Sequence, residues 1–156
     1  MFDTLADVPP LLVALSLASA TLLGVALAAK PDVQSRAAPL ADTVDAVASA
    51  DHESAESRDL AVDEVRITPH AIEVRDGADT SRAAYAYGPV VPVRRDTVLW
   101  RVLHGASPAD TFDDERAFER AVATARDRDA AWRRDRQQLT VRRVTWRGVD
   151  VTLVGA

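Results

Sequence analysis

An apolar segment near the N-terminus, residues 11–29, constrains this chain more than any other feature. Its sequence, LLVALSLASATLLGVALAA, contains no charged residue and is flanked by Pro9-Pro10 and by Lys30-Pro31. A helix of this length spans about 28 Å, close to the hydrocarbon thickness of a bilayer. Because a helix satisfies its own backbone hydrogen bonds in lipid, we interpret the segment as a single transmembrane helix.

Other interpretations of residues 11–29 are weaker but stay open. Residues 26–28 read Ala-Leu-Ala, a pattern that signal peptidases cleave, yet the preceding ten residues carry two aspartates and lack the basic residues of a secretory signal. A helix of a soluble core would show a polar face, which this segment lacks. A prepilin-type leader would also carry basic residues before its processing site. The transmembrane interpretation therefore accounts for the segment best.

Small residues recur at every fourth position of this helix, at Ser16, Ala20, Gly24 and Ala28. This spacing places them on one helix face and lets a second helix approach closely. We expect the helix to pack against itself or against a membrane partner through this face. The alternative is that an alanine-rich helix produces such a stripe by chance.

The rest of the chain divides into three parts. Residues 1–10 form a short acidic lead before the membrane helix, residues 30–62 form a tether, and residues 63–156 form the folded domain. Within the tether, apolar residues with helical spacing predict a short amphipathic helix over 40–50. The polar run DHESAESRD at 51–59 lacks apolar periodicity and predicts a flexible link.

The membrane side of the domain is weakly indicated. Lys30 and Arg36 follow the apolar segment, and no basic residue precedes it. The positive-inside rule would place the domain in the cytoplasm, but two residues leave the side undecided.

Alternation of apolar and polar residues begins after Val62 and predicts strands. We expect antiparallel strands near 63–68, 71–75, 82–87 and 90–93, with Tyr85 and Tyr87 on one face of the third.

Helices are predicted next. Asp96 is expected to cap TVLWRVLH, and Ser107-Pro108 has the pattern of an N-cap followed by proline at the first helical position. Residues 113–115 open the main helix, whose inward stripe is predicted as Phe118, Val122 and Ala125.

The last twenty residues predict a β-hairpin with a turn at Arg147-Gly148. Alternation changes phase between Leu139-Val141 and Val144-Trp146, which predicts a bulge at residues 142–143. The domain is therefore expected to be α+β: an antiparallel sheet with two or three helices, packed on one side of it, inserted before the C-terminal hairpin.

Composition limits the available chemistry. The 156 residues include no cysteine, which excludes disulfides and thiolate catalysis. Lys30 is the only lysine among 19 basic residues, and the net charge is −5. This acidic, lysine-poor composition resembles that of proteins from salt-accumulating archaea.

Two charged clusters are candidates for binding. Asp110 and residues 113–115 could supply carboxylates to a cation, but acidic residues are also favourable at a helix N-terminus, so no metal site is predicted. Residues 126–147 contain eight arginines interleaved with Trp132 and Trp146, as in proteins that bind nucleic acid. Aspartates alternate with these arginines, so we expect a solvated, ion-paired helix end and no nucleic-acid partner. An acidic partner or anionic lipid headgroups fit the stretch better.

No catalytic motif is present. His52, His70 and His104 lie in a predicted linker, a strand junction and a helix end, and no serine lies in a G-x-S-x-G motif. The chain also lacks a Walker lysine and a G-x-G-x-x-G loop. We therefore predict a non-enzymatic protein without a cofactor.

Three segments resemble a family of small membrane-anchored haloarchaeal proteins of unknown function, several of them loosely associated with type IV pilus-like loci. The segments are the uncharged helix after the acidic MFD start, AYGPVVPV at 86–93 and RVTWRGVDVTLVG at 143–155. The resemblance covers most of the chain but brings no catalytic residues. It implies an accessory or minor component of a pilus-like cell-envelope assembly, whereas the missing prepilin-type leader argues against a major subunit.

The expected function is therefore contact with a membrane or envelope protein, by a single-pass protein whose helix lies in membrane lipid. The alternative is a membrane-anchored sensor or small-ligand-binding module, with Tyr85, Tyr87, Trp100 and Trp132 lining a pocket.

Overall fold

A computed structural model describes residues 35–134 and 136–156 of the chain. The predicted transmembrane helix at 11–29 and its stripe of Ser16, Ala20, Gly24 and Ala28 lie outside the described residues. Among the residues that are described, no helix combines the length and the hydrophobicity needed to cross a bilayer.

Four helices and eight strands make up the described part of the chain. In chain order they are α1 (Ala38–Ala48), β1 (Ala55–Asp59), β2 (Glu64–Ile67), β3 (Ala71–Asp76), β4 (Asp79–Ala84), β5 (Val91–Val93), α2 (Leu99–Leu103), α3 (Pro108–Thr111), α4 (Glu115–Asp127), β6 (Arg133–Arg134), β7 (Gln138–Trp146) and β8 (Val149–Gly155).

The strands form two four-stranded sheets instead of the single sheet that was predicted. Sheet I has the order β1-β7-β8-β5 and is antiparallel except for the parallel pair β5–β8, and sheet II has the order β4-β3-β2-β6 and is antiparallel throughout. The α+β class and the C-terminal hairpin are confirmed. Arg147 and Gly148 form the hairpin turn, with φ of 48° and 91°, as a two-residue turn of this type requires.

The central strands of sheet I, β7 and β8, contribute buried residues on both faces of the sheet. One face packs with α1 and with the inner face of sheet II around Val44, Ile72 and Leu139. The other face packs against α2 and α4 around Leu103 and Phe118. Helices therefore cover both sides of this sheet, and the prediction of helices on one side only is wrong.

Two-sided burial also explains the change of phase in β7. Leu139 and Val141 enter the first core, whereas Val144 and Trp146 face the second. The pairing of β7 with β8 is continuous from Thr140 to Trp146, so the predicted bulge is absent from this strand. An apolar residue on either face of an unbroken strand produces the same sequence pattern as a bulge.

The predictions for the segments around the cores are confirmed in part. The amphipathic helix is confirmed as α1, but the run expected as a flexible link contains strand β1, which pairs with β7. Asp96 does not cap α2 and bonds to Arg94 instead. Ser107 and Asp114 do cap α3 and α4, since they accept hydrogen bonds from the backbone N–H groups two or three residues further on.

Candidate functional site

The outer face of sheet II is built from charged residues that alternate with the core residues of β2 and β3. Val65 and Ile72 point into the first core, so their neighbours Glu64 and Glu73 lie on the opposite face. Both glutamates are nevertheless buried, with exposures of 6% and 5%. A carboxylate in such a position needs charged partners, because removing it from water is costly.

Each glutamate is held by two arginines from neighbouring strands. The Glu64 carboxylate accepts a 2.5 Å hydrogen bond from Arg75 of β3 and another from Arg134 of β6. These pairs follow from the register, which places Glu64 opposite Arg75 on one side and opposite Arg134 on the other.

Glu73 repeats the arrangement one strand further on. Arg66 Nε donates to its carboxylate at 2.8 Å, and Arg82 of β4 lies 3.5 Å away. The two glutamates thus join all four strands of sheet II through ion pairs.

A half-buried tryptophan completes the surface. The guanidinium carbons of Arg66 and Arg75 lie 4.9 and 4.3 Å from the centroid of the Trp132 ring, within the range of cation–π attraction. We call this surface the arginine face, and its members are Glu64, Arg66, Glu73, Arg75, Arg82, Trp132 and Arg134.

The arginine face is electropositive, since four guanidinium groups surround two carboxylates. The hydrogen bond from Arg134 and the charges of Arg134 and Arg75 hold the pKa of Glu64 below its ordinary value despite desolvation, which opposes the shift. The Glu64 carboxylate therefore stays ionised at neutral pH and fixes Arg75 and Arg134 in place. Arg133 is not part of this face. Desolvation, and then the charges of Arg94 and Arg136, lower the pKa of its guanidinium.

An open cavity of about 460 Å³ lies at one end of the arginine face. Glu64, Arg75 and Arg134 line it together with Val62, Asp63 and Gly77. Asp63 accepts a 2.8 Å hydrogen bond from the Gly77 backbone N–H, which ties the β3–β4 turn to the chain before β2. The rim of this cavity is polar and charged, which suits a small ionic ligand better than an apolar one.

The four aromatic residues that were predicted to line a pocket occupy separate surroundings. Tyr85 is part of the first core, and burial, with a smaller contribution from Asp45, raises the pKa of its hydroxyl above the ordinary value. Tyr87 is 58% exposed, Trp100 packs on the second core, and Trp132 belongs to the arginine face. The structure therefore does not place Tyr85, Trp100 and Trp132 around one site.

The three histidines also occupy separate surroundings. His104 stacks on Trp100 with ring centroids 4.1 Å apart, His70 lies near Gly88, and His52 is exposed between α1 and β1. In the acidic cluster, Asp114 acts as the cap of α4.

The basic stretch at 126–147 was predicted to be a solvated helix end, and this prediction is wrong. Helix α4 ends at Asp127, and four of the later arginines lie on strands β6 and β7. Arg134 on β6 joins the arginine face, and Arg142 on β7 bonds to backbone carbonyls. Glu64 and Glu73 were not among the predicted site residues. Their alternation with apolar residues in EVRI and IEVR, read in hairpin register, was the signal available.

These observations define an α+β domain of two sheets with an ion-paired, electropositive outer face. Residues 3–144 match DUF7283, a family of unknown function, and the chain belongs to that family. No curated protein and no solved structure matches the chain.

Proposed function

We propose that this protein is a non-enzymatic, single-pass membrane protein that acts through protein contacts, as an accessory or minor component of a haloarchaeal, pilus-like cell-envelope assembly. The apolar segment at 11–29 supports the anchor because it has the length and hydrophobicity of a bilayer span. The domain that follows supplies the contact surface.

The observation that carries this proposal is the ordering of the arginine face by its two buried glutamates. Ion pairs offset the desolvation of a buried carboxylate only in part, so apolar residues in place of Glu64, Glu73 and their arginines would stabilise a fold about as well. Burying the glutamates is, however, a good way to fix guanidinium groups before a partner binds, which lowers the entropic cost of association.

Trp132 indicates the kind of partner that fits. Tryptophan and arginine are the residues that most often dominate binding energy at protein interfaces. Here the indole is half-exposed and contacts the guanidinium groups of both Arg66 and Arg75. A partner that presents carboxylates around an apolar patch would complement this surface, and an envelope protein of acidic composition meets that requirement.

Affinity purification of the full chain from detergent-solubilised membranes tests this proposal. We expect Trp132→Ala to release envelope proteins that the wild-type chain retains, whereas Arg116→Ala, on the exposed side of α4, should leave them bound. If both variants retain the same proteins, the arginine face is not the contact surface. If partners depend only on residues 11–29, the anchor itself makes the contact.

The second candidate is a membrane-anchored sensor or ligand-binding module, which the 460 Å³ cavity favours. Arg75 and Arg134 at its rim suit a small anion. Titration with inorganic phosphate and with citrate, followed by the melting temperature of the full chain in detergent, tests it. A saturable rise that Arg75→Ala abolishes would support this candidate over the contact function.

A further inference from the structure

Strand β1 forms an edge of sheet I and is exposed along its whole length. All five residues of Ala55–Asp59 are exposed, and within the described residues β1 pairs with β7 alone. The Ser54 carbonyl accepts a hydrogen bond from Arg143 N–H, and Leu60 N–H donates to the Gln137 carbonyl, both at 2.8 Å. In an antiparallel pair the hydrogen-bonded positions alternate, so the odd-numbered residues of β1 turn their backbone groups away from β7.

The strand therefore presents three residues with outward N–H and C=O groups: Ala55, Ser57 and Asp59. Edge strands of this kind are templates for pairing with another strand. The sequence AESRD has a further property, since it is complementary to itself when two copies run antiparallel.

We propose that β1 pairs with β1 of a second copy of this chain, about a two-fold axis that passes through Ser57. In this register Ser57 lies opposite Ser57 of the second copy, and Ala55 lies opposite Asp59. All three are hydrogen-bonded positions, so the two four-stranded sheets join into one eight-stranded sheet.

Charge complementarity favours β1 of a second copy over an unrelated strand as the pairing partner. In the same register Glu56 lies opposite Arg58 of the second copy, and the two-fold axis makes this contact twice. Opposite charges directly across an antiparallel pair are stabilising, and like charges are destabilising. Arg58 is already positioned, since its Nη1 donates to the Pro39 carbonyl at 3.3 Å and to the Thr43 hydroxyl at 3.1 Å.

Strand β4, an edge of sheet II, does not offer the same match. Tyr85 N–H donates a 3.0 Å hydrogen bond to the His70 carbonyl, so the odd-numbered residues of β4 are the ones that bond to β3. The even-numbered residues of β4 therefore turn their backbone groups outward. Self-pairing centred on Arg82 would set two arginines opposite each other. The dimer is therefore assigned to β1, and the assignment does not depend on the arginine face or on the anchor.

Cysteine cross-linking of the full chain in detergent tests the register, because the native sequence contains no cysteine. Directly paired Cα atoms are about 5.5 Å apart at a hydrogen-bonded position, within disulfide reach. The two Ala55 residues would be four positions out of register, about 13 Å apart and beyond that reach.

We expect Ser57→Cys to give a disulfide-linked dimer under mild oxidation, whereas Ala55→Cys and Thr80→Cys, on the exposed part of β4, should stay monomeric on non-reducing gels. Cross-linking at 55 as readily as at 57, or no cross-linking at 57, would overturn the proposal.

Charge exchange tests the self-complementarity in the Ser57→Cys background. Glu56→Arg and Arg58→Glu should each lower the dimer yield about tenfold, because each sets like charges opposite one another. The double variant, and a mixture of the two single variants, should recover it. Circular dichroism checks that each variant is folded. If a charge-exchange variant does not fold, Glu56→Gln and Arg58→Gln are used in its place. A double variant that is folded yet as monomeric as the singles would overturn the assigned register.

Discussion

Arg142 and Arg143 are neighbours on β7 that project to opposite faces of sheet I and donate hydrogen bonds to the ends of different helices. Arg142 donates to the carbonyls of Val102 and Ala106 at the end of α2, at 2.5 and 3.1 Å. Arg143 donates to the carbonyls of Ala48 and Ala50 at the end of α1. The last carbonyls of a helix lack partners within the helix, so this pair of arginines satisfies both helix ends from one strand.

Replacing Arg142 with methionine should lower the free energy of unfolding by about 1–3 kcal/mol, because it removes the Arg142 donor from the Ala106 carbonyl and leaves the Val102 carbonyl with the Gly105 N–H alone. Methionine keeps most of the aliphatic stem, so the change isolates the hydrogen bonds. Urea denaturation of the full chain in detergent, followed by circular dichroism, measures the effect. Arg116→Met, on the exposed side of α4, is the control. Equal midpoints for the two variants would contradict this role of Arg142.

Gly155→Ala should destabilise the second core. A Cβ at this position would lie 2.6 Å from Leu103 Cδ2, 3.0 Å from Trp100 Cζ3 and 3.2 Å from the Val93 carbonyl oxygen. Leu103 is buried and has little room to move, so we expect a loss of about 1–3 kcal/mol by the same denaturation assay.

Leu103→Ala provides the matched test of that clash. It removes the nearest of the three atoms that the added Cβ of Gly155→Ala would meet, so the double variant should lose less stability than the two single losses combined. Additive losses would show that Gly155 is needed for another reason.

The sequence predicted the local elements well because their signals are local. The stripe of Phe118, Val122 and Ala125 and the Arg147-Gly148 turn depend on residues close in the chain, and both are confirmed. Pairings between distant segments leave no such signal. Nothing local distinguishes the parallel pairing of β5 with β8 from an antiparallel one, and the charged strand AESRD lacks the alternation by which strands are recognised.

The candidate site could be predicted only in part. Once strands 63–68 and 71–75 are predicted as a hairpin, hairpin register sets Glu64 opposite Arg75 and Arg66 opposite Glu73, as the structure has them. The remaining pieces come from distant elements. Trp132 and the β6 arginine Arg134 reach this surface only because the chain after α4 returns to the edge of sheet II, which no periodicity indicates.

Acid should weaken the fold through Glu64. Arg134 and Arg75 hold the pKa of its carboxyl below the unfolded value, so the unfolded chain binds more protons between the two pKa values. The stabilisation is fully present above the unfolded pKa, about 4.3. It is lost as the pH falls from there through the folded pKa.

Glu64→Gln should therefore lower stability at pH 7 and give a shallower dependence of stability on pH below about 4.3. Hydrogen bonds also depress the pKa of Asp150, chiefly from Arg143, so some dependence should remain. Urea midpoints from pH 7 to pH 3 measure this pH dependence of stability, with Glu119→Gln, at an exposed position of α4, as the control. Parallel curves for wild type and Glu64→Gln would contradict the role of this carboxylate.

Insertion of residues 11–29 into the membrane should fail when a charge is placed at their centre. An arginine at the middle of a membrane helix costs about 2.5–3.5 kcal/mol on insertion scales, so we expect Ala20→Arg to move chain from the membrane pellet to the supernatant after alkaline carbonate extraction. Ala6→Arg adds the same charge outside the apolar segment and should leave the chain in the pellet. A wild-type chain that stays in solution without detergent would contradict the anchor. N-terminal sequencing separates the remaining alternative, because a mature chain that begins after Ala28 would be the product of a cleaved signal.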